Sequence, residues 1–215
     1  MSDLLTFPEA RALGCLLEKE MATPEYYPMT VNSLVAACNQ SSNRDPVVAY
    51  EEATVDEALA GLRRKKLAAM LHLAGSRAPK YKHLAREFFP GLDRPELAIL
   101  AVLTLRGPQT VAELRTRTER LHPFPDAPAV ESALDRLTTY QSGPLVSFQP
   151  PGHGRRAATY TSLLTAPAAS APTLSTPSAP LTPAADWRTT IESHLATLES
   201  RIAALEQSLR SPPPS

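Results

Sequence analysis

Histidine and cysteine are the side chains of this sequence best suited to catalysis or metal binding, but their spacing favours neither. None of the five histidines has a second histidine, a cysteine or an acid at the offsets that zinc sites use. The sequence also contains no glycine-rich phosphate loop and no nucleophile elbow. We therefore expect no catalytic site, no bound metal and no cofactor. The histidines are His72, His83, His122, His153 and His194.

The only two cysteines, Cys15 and Cys38, lie within apolar helical patterns and do not form a Cys-x-x-Cys pair. Cysteine behaves as a small apolar residue when it is buried, and thiols stay reduced in the cytosol. We expect two buried free thiols. A disulfide or a redox site is the alternative.

Basic residues cluster at positions that suit contact with a nucleic acid. Four consecutive cations end the third predicted helix, and further cations lie in two predicted hairpins. Hairpins that carry cations can contact phosphates or enter the minor groove. The alternative is that these are solvated turns and a helix end whose cations complement the helix dipole. The candidate nucleic-acid-binding residues are Arg63, Arg64, Lys65, Lys66, Arg77, Lys80, Lys82, Arg155 and Arg156.

Acidic residues stand at the start of each third helix, where DNA-binding helices usually read bases. Carboxylates repel phosphates, and only cytosine offers them a base-edge donor in the major groove. This composition is evidence against ordinary docking of a recognition helix. Favourable interaction with the helix dipole is the alternative explanation. The residues are Glu51, Glu52, Asp56 and Glu57 in the first case, and Glu131 and Asp135 in the second.

A polar segment at residues 37–46 lengthens the connection between the second and third helices. Its candidate partner-binding residues are Asn39, Gln40, Asn43 and Arg44. The segment is either a recognition loop for a peptide or nucleic acid, or a loop that satisfies its own hydrogen bonds.

The charge of the whole chain is balanced. Lys and Arg number 22, Asp and Glu number 22, and the sequence pI is about 7.0. Strong non-specific DNA binding usually needs a basic excess, so this balance counts against it. No apolar run is long enough to span a membrane and no signal peptide is visible, so we expect a cytoplasmic protein without membrane contact.

Hydrophobic spacing predicts three helices followed by a β-hairpin in the first part of the chain. The helices are expected to begin at Pro8, Thr30 and Thr54, the last within a capping box. Two short apolar runs, residues 67–73 and 80–84, flank a turn that contains glycine and proline. Three helices and a hairpin are the order of a winged helix-turn-helix domain.

The same order recurs later in the sequence, and a repeat of whole domains explains it most simply. We expect a mostly helical α+β protein with two tandem winged helix-turn-helix domains, residues 1–90 and 91–164, plus a C-terminal coiled-coil helix. The matched segments are 5–9 with 92–96, 13–16 with 100–103, 30–34 with 110–114, and 55–62 with 130–137.

The C-terminal part of the sequence has a different character. Residues 165–185 are rich in Pro, Ala, Ser and Thr and carry no charge, which predicts an extended linker. Residues 186–210 carry apolar side chains at alternating spacings of four and three, which predicts a coiled coil and a homodimer. The alternative is a helix that docks on its own chain. The seam residues are Ile191, Leu195, Leu198, Ile202, Leu205 and Leu209.

Several longer motifs match in order with one known family. They include GCLLEK at residues 14–19, TPE at 23–25, ACNQ at 37–40 and LRGPQT at 105–110. In these motifs the chain resembles the YceH-like family of uncharacterised bacterial proteins, over about residues 3–164. The resemblance implies a tandem winged-helix fold and no particular activity. The proline-rich linker departs from the family pattern.

Two hypotheses for function remain open. The first is a non-enzymatic, DNA-associated or regulatory protein that uses its hairpins and residues 63–66 while the tail dimerises it. The second is a protein-interaction adaptor, similar in architecture to the winged-helix subunits of chromosome-partition complexes. Neutral charge and the acidic helix starts favour the adaptor. The frequency with which winged helices bind DNA favours the first.

Overall fold

A computed structural model describes residues 5–73, 75, 78–151 and 157–165. Over these ranges the chain forms seven α-helices and two antiparallel β-hairpins, which confirms the expected α+β class. The first half contains α1 (Phe7–Ala22), α2 (Val31–Cys38), α3 (Glu52–Arg64), β1 (Ala68–Leu71), β2 (Lys80–His83) and α4 (Ala85–Phe88). The second half contains α5 (Arg94–Arg106), α6 (Val111–Arg117), α7 (Ala127–Thr138), β3 (Val146–Gln149) and β4 (Thr159–Ser162).

Threonine side chains begin three of these helices. Thr6 and Glu9 form a capping box on α1, in which the Glu9 carboxylate accepts the Thr6 amide at 2.8 Å. Thr30 caps α2, as its sequence position predicts. Thr110 caps α6 by accepting the Glu113 amide at 3.2 Å. Each cap satisfies backbone amides that have no partner inside the helix.

The predicted start of the third helix was wrong. α3 begins at Glu52, with Glu51 at the N-cap position, so Thr54 lies inside the first turn. The Thr54 amide already donates to the Glu51 carbonyl at 3.1 Å. Tyr50 is held by the side chain of Asn39, so the chain leaves a fixed point immediately before the helix. That tertiary constraint sets the helix start before the local capping motif.

The two halves repeat a backbone pairing as well as an order of elements. Met29 pairs with Tyr81 of β2 through two hydrogen bonds of 3.0 and 2.7 Å. Gln109 pairs with Tyr160 of β4 through two hydrogen bonds of 3.0 and 2.8 Å. In each half, the residue before the capping threonine of the second helix therefore joins the hairpin.

The halves also repeat a buried carboxylate. Glu9 on α1 accepts hydrogen bonds from Lys65 at 2.8 and 2.9 Å, and Glu96 on α5 accepts one from Arg136 Nε at 2.6 Å. Each glutamate also caps its own helix, and each is almost fully buried. Gly61 makes room for the first pair, since a Cβ there would lie 1.9 Å from Glu9 Oε1.

Helices α1 and α5 pack against each other and join the two halves in one hydrophobic core. Leu13, Leu16 and Leu100 are fully or almost fully buried in it. At the crossing, Gly14 brings α1 close to Leu105, where a Cβ would stand 3.0 Å from the leucine Cγ. All described residues belong to one compact unit, and the predicted domain boundary between residues 90 and 91 stays a prediction.

Apart from Thr165, which forms a bridge with Leu5, the predicted linker and the coiled-coil helix lie outside the described residues. None of the helices in the described ranges is both long and apolar enough to cross a membrane.

Candidate nucleic-acid and partner-binding surfaces

Cations of the first half gather around its hairpin. Arg63, Arg64 and Lys66 are exposed at the end of α3, where the chain passes into β1. Lys80 and Lys82 lie on β2, opposite Leu71 and Ala69 of β1, and are partly exposed. The side chains of a strand alternate between its two faces, so the two lysines share one face while their neighbours fill the core. We call these five cations the basic surface.

Lys65 differs from its neighbours in this cluster. Its ammonium group contacts both oxygens of Glu9, and its side chain is 22% exposed. It therefore links α3 to α1 instead of facing solvent. Among the described residues, no carboxylate forms an ion pair with any member of the basic surface. Unpaired, solvated cations keep their charge available for a phosphate.

The opposite end of α3 is acidic and exposed. Glu51, Glu52 and Asp56 all face solvent there, so α3 carries negative charge at its start and positive charge at its end. This distribution suits the helix dipole. In the second half, Glu131 and Asp135 are exposed on α7. Both third helices thus present carboxylates on their solvent-facing surfaces.

The side chain of Asn39 ties the two ends of the predicted partner-binding loop together. Asn39 donates from its side-chain amide to the Tyr50 carbonyl at 2.8 Å and accepts the Tyr50 amide at 2.8 Å. These two bonds close the loop much as a β-ladder would. Asn39 therefore holds the loop together, while Gln40 is partly exposed and Asn43 is exposed.

Arg44 lies inside the loop and not on its surface. Its guanidinium forms a two-bond ion pair with Glu18 of α1, at 3.0 and 2.6 Å. It also donates to the carbonyls of Ala37 and Asn43, at 3.0 and 2.9 Å. A buried guanidinium with this many acceptors organises the loop around itself. Asn39 and Arg44 therefore hold the loop together, and the recognition role of the loop stays a prediction.

A second buried arginine was not predicted. Arg11 is fully buried in α1 and donates to the carbonyls of Pro46 at 2.6 Å and Cys38 at 3.4 Å. Its Nε atom has no hydrogen-bond partner among the described residues. Burial lowers the pKa of Arg11, with a smaller contribution from the charge of Arg44. The available signal was a cation placed inside the apolar stripe of the first helix.

Comparison with known proteins places this architecture in a family. A family model described as a protein of unknown function, DUF480, matches residues 5–155. The chain belongs to the DUF480 family. It is 57% identical over 148 residues to a UPF0502 protein of Geotalea uraniireducens, a match that covers 69% of this chain and 66% of that relative. It is 53% identical over 167 residues to a UPF0502 protein of Geobacter sulfurreducens, covering 76% and 74%.

Similarity within the DUF480 family also extends over nearly the whole chain. A UPF0502 protein of Shewanella sp. strain ANA-3 is 41% identical over 211 residues, which is 96% of each chain. The YceH-like resemblance of the sequence motifs is therefore confirmed at the level of the family. The names of these relatives state no substrate, ligand or partner.

One histidine of this DUF480 chain has the contacts of a catalytic dyad. His83 Nε2 lies 2.9 Å from Glu20 Oε2, and this hydrogen bond lowers the pKa of Glu20. The other ring nitrogen, Nδ1, accepts the Ala85 amide at 3.2 Å. Both ring nitrogens have hydrogen-bond partners and the ring is buried, so His83 joins β2 to α1.

Both cysteines are buried free thiols, as the sequence predicts. The hydrogen bond to Cys15, together with burial, raises the pKa of Cys38, which disfavours its thiolate. Among the residues that the structure describes, no group of histidines, cysteines and acids is arranged to hold a metal ion.

Several predicted site residues lie outside the described residues. They are the hairpin-tip cations Arg77, Arg155 and Arg156, and the seam residues Ile191, Leu195, Leu198, Ile202, Leu205 and Leu209.

Proposed function

We propose that this DUF480 protein is a non-enzymatic tandem winged-helix protein that associates with DNA through the basic surface of its first half. The observation that carries this proposal is the group of five cations without carboxylate partners among the described residues. Two features support the winged-helix interpretation. Each half contains three helices before a hairpin, and in each half a residue before the second helix pairs with that hairpin.

The proposed contact is with the phosphate backbone and not with bases. The acidic start of α3 would lie close to phosphates if that helix entered the major groove, and the repulsion disfavours this geometry. The end of α3 and the outer face of β2 carry the opposite charge. Contacts of this kind hold DNA with little dependence on sequence, and they weaken steeply as salt is added.

The magnitude of this salt dependence makes the proposal testable. Five phosphate contacts predict a log–log salt slope of about −4.5 and a Kd in the range of roughly 10⁻⁴ to 10⁻⁶ M at physiological salt. Fluorescence anisotropy with a mixed-sequence duplex measures both quantities. Replacing Arg63, Arg64, Lys80 and Lys82 with alanine is expected to make the slope shallower by roughly 3 to 4.

A control variant removes two cations from the other half. Arg115→Ala/Arg120→Ala changes two exposed side chains near α6 and is expected to leave the slope and the affinity unchanged. Circular dichroism checks that both variants remain folded. A flat titration of the folded parent protein would exclude the DNA-binding proposal, and equal losses in both variants would exclude the basic surface as its site.

A protein-interaction adaptor is the second candidate, favoured by the exposed carboxylates at the start of α3. Such a surface complements a basic partner segment. The test is binding of a basic peptide such as penta-lysine to the parent protein and to Asp56→Asn/Glu57→Gln. Binding that is lost in this variant, with no DNA binding by the parent, would make the adaptor the main function.

The homodimer remains a separate proposal that rests on the sequence of the tail. Changing Leu198 and Leu205 to glutamate is expected to convert a dimer into a monomer in sedimentation velocity. A parent protein that is already monomeric at high concentration would exclude the coiled coil. A dimer would also raise weak DNA affinity, since two linked sites increase the effective concentration of the second contact.

A further inference from the structure

A polar cleft lies where the two halves of the compact unit meet. Its volume is about 760 Å³. The end of α1 and residues 40–43 form one side, and the end of α5 with α6 and its following turn form the other. Cavities that bind small molecules commonly have volumes of about 300–1,000 Å³. The cleft is therefore large enough for a metabolite and too confined for a duplex.

Positive charge predominates on the walls of this cleft. Lys19, Arg106, Arg117 and Arg120 line it. One of its two lining carboxylates, Glu18, is already engaged by the two-bond ion pair with Arg44 described above. The other is Glu119, on the turn after α6. Two of these cations have carboxylate partners, since Lys19 lies 3.6 Å from Glu18 and Arg117 lies 3.2 Å from Glu113, whereas Arg106 and Arg120 form no ion pair among the described residues.

Arg106 and Arg117 both line the cleft and share no carboxylate among the described residues. Arg106 donates to the side-chain oxygen of Asn43, a neutral acceptor, and has no carboxylate partner among the described residues. Burial, and then the charge of Arg117, lowers the pKa of Arg106. Arg117 itself donates to the neutral Gln109 and pairs at 3.2 Å with Glu113. An anion placed between the two guanidinium groups would relieve this repulsion.

We propose that this cleft binds a small phosphate-bearing molecule. Guanidinium groups offer planar pairs of donors that match phosphate oxygens, and two arginines with a lysine suit a multiply charged group such as a pyrophosphate. The hydroxyls of Ser41 and Ser42 add neutral donors at the rim.

The lining also indicates which part of the ligand is recognised. Among the described residues that line the cleft there is no aromatic side chain, so they offer no ring to stack on a base. Recognition should depend on the phosphate groups and little on whatever they are attached to. The ligand would contact both halves at once and should stabilise the fold as a unit.

Isothermal titration of the full chain with inorganic pyrophosphate tests this site. We expect saturable binding and a rise in Tm, and at least a tenfold loss of affinity in Arg106→Gln/Arg120→Gln. Arg120 is exposed and glutamine preserves a donor at Arg106, so the variant should fold. The control Arg86→Gln/Arg115→Gln removes the same charge from exposed positions outside the cleft and should bind pyrophosphate like the parent.

Three results would overturn the proposal. The first is no pyrophosphate binding at millimolar concentration by a folded parent protein, and the second is unchanged binding by Arg106→Gln/Arg120→Gln. The third is succinate binding as tightly as pyrophosphate at equal ionic strength, which would exclude a phosphate site. Anisotropy with duplex DNA separates this proposal from the preceding one. Arg106→Gln/Arg120→Gln should keep its DNA affinity within about twofold, and a larger loss would show that the cleft belongs to the DNA contact.

Discussion

The two halves of the described unit share a backbone plan but differ in what they place on it. In the first half, the Leu84 amide donates to the Leu67 carbonyl at 2.8 Å, and the Leu163 amide repeats this bond to Leu145 at 2.8 Å in the second. The strands differ in charge, since β2 carries two lysines while β3 and β4 carry none. The hydrogen bonds that hold a hairpin in place do not determine what its outer face carries.

The two buried glutamates, Glu9 and Glu96, each form an ion pair, but the cation comes from a different helix position in each half. In the repeat alignment, the position of Gly61 on α3 corresponds to that of Arg136 on α7. The second half therefore supplies the cation for Glu96 from this position. The first half has glycine there and supplies the cation for Glu9 one turn later, from Lys65. The carboxylate is held in both halves because leaving it buried and unpaired would cost several kcal/mol.

The connections between the second and third helices differ most. The first half encloses Arg44 and Arg11 between its loop and α1, where they bind loop carbonyls. The second half uses a shorter connection in which the Thr118 hydroxyl donates to the Leu114 carbonyl at 2.8 Å and Phe124 is buried. Buried charge thus replaces apolar packing in the longer loop. We therefore expect the first half to be the more sensitive to single changes in this region.

The largest expected effect comes from removing that buried charge. Arg44→Met should lower the free energy of unfolding by about 3–5 kcal/mol, because Glu18 keeps only its 3.6 Å contact with Lys19 and two loop carbonyls lose their donor. Urea unfolding measures the change. The control Arg115→Met alters an exposed arginine in the second half and should change stability by less than about 0.5 kcal/mol. A loss below about 1 kcal/mol for Arg44→Met would show that the loop does not depend on it.

The next largest effect is expected at Gly61, which stands at the position that Arg136 occupies in the second half. Gly61→Ala should destabilise the protein by about 1–3 kcal/mol, because the new Cβ would overlap with the Glu9 carboxylate. In a Glu9→Ala background the overlap is absent, so the same change should be neutral or should stabilise by up to about 1 kcal/mol through helix propensity. A double-mutant cycle by urea unfolding gives the coupling. Equal costs in both backgrounds would show that Glu9 is not the reason for the glycine.

A smaller effect concerns how the stability contributed by the Glu9–Lys65 ion pair depends on pH. Burial acts to raise the pKa of Glu9, but hydrogen bonds from Lys65 and Thr6 outweigh it, and the pKa lies below its ordinary value. The stability from this group is therefore present above the unfolded-state pKa of about 4.3 and is lost as pH falls through the folded-state value. Glu9→Gln should cost on the order of 1 kcal/mol at pH 7.

The difference in the free energy of unfolding between the parent and Glu9→Gln should therefore become smaller as the pH falls below about 4. Urea unfolding of both proteins between pH 7 and pH 3 measures the difference. If this free-energy difference stays constant across the pH range, the charge of the carboxylate does not contribute to stability and only the shape of the side chain matters.

The order of helices and hairpins could be predicted from the sequence because it depends on local patterns. Apolar spacing placed α1 with Pro8 near its start, and placed α2 and α6 with threonine at their caps. The repeated Pro-Glu motif marked Glu9 and Glu96. The predicted start of α3 was wrong because Asn39, which is distant in sequence, fixes the chain at Tyr50, just before the helix. Local signals are reliable where no tertiary contact competes with them.

The partners of buried charges could not be predicted in the same way. Arg44 was singled out as a polar loop residue, but its pairing with Glu18 joins positions 26 residues apart. Arg11 stood in an apolar stripe with no acid three or four residues away to suggest a partner. The cleft combines both halves, so its cations come together only once α1, α5 and α6 have packed. Such sites depend on the tertiary fold, which no spacing within one segment encodes.

The smallest expected effect is on DNA affinity, and it tests whether only the first half contacts DNA. Glu51→Gln/Glu52→Gln removes two exposed carboxylates from the start of the helix that carries the basic surface at its end. Because these charges are solvated and partly screened, their removal should strengthen DNA binding by only about twofold to fivefold at 50 mM salt, and by less at 200 mM. The equivalent change on α7, Glu131→Gln/Asp135→Asn, removes the same charge from the second half. If DNA lies along the first half alone, anisotropy should show little change for this variant. Equal gains from both variants would mean that the net charge of the protein governs binding, and that the asymmetry between the halves has no part in it.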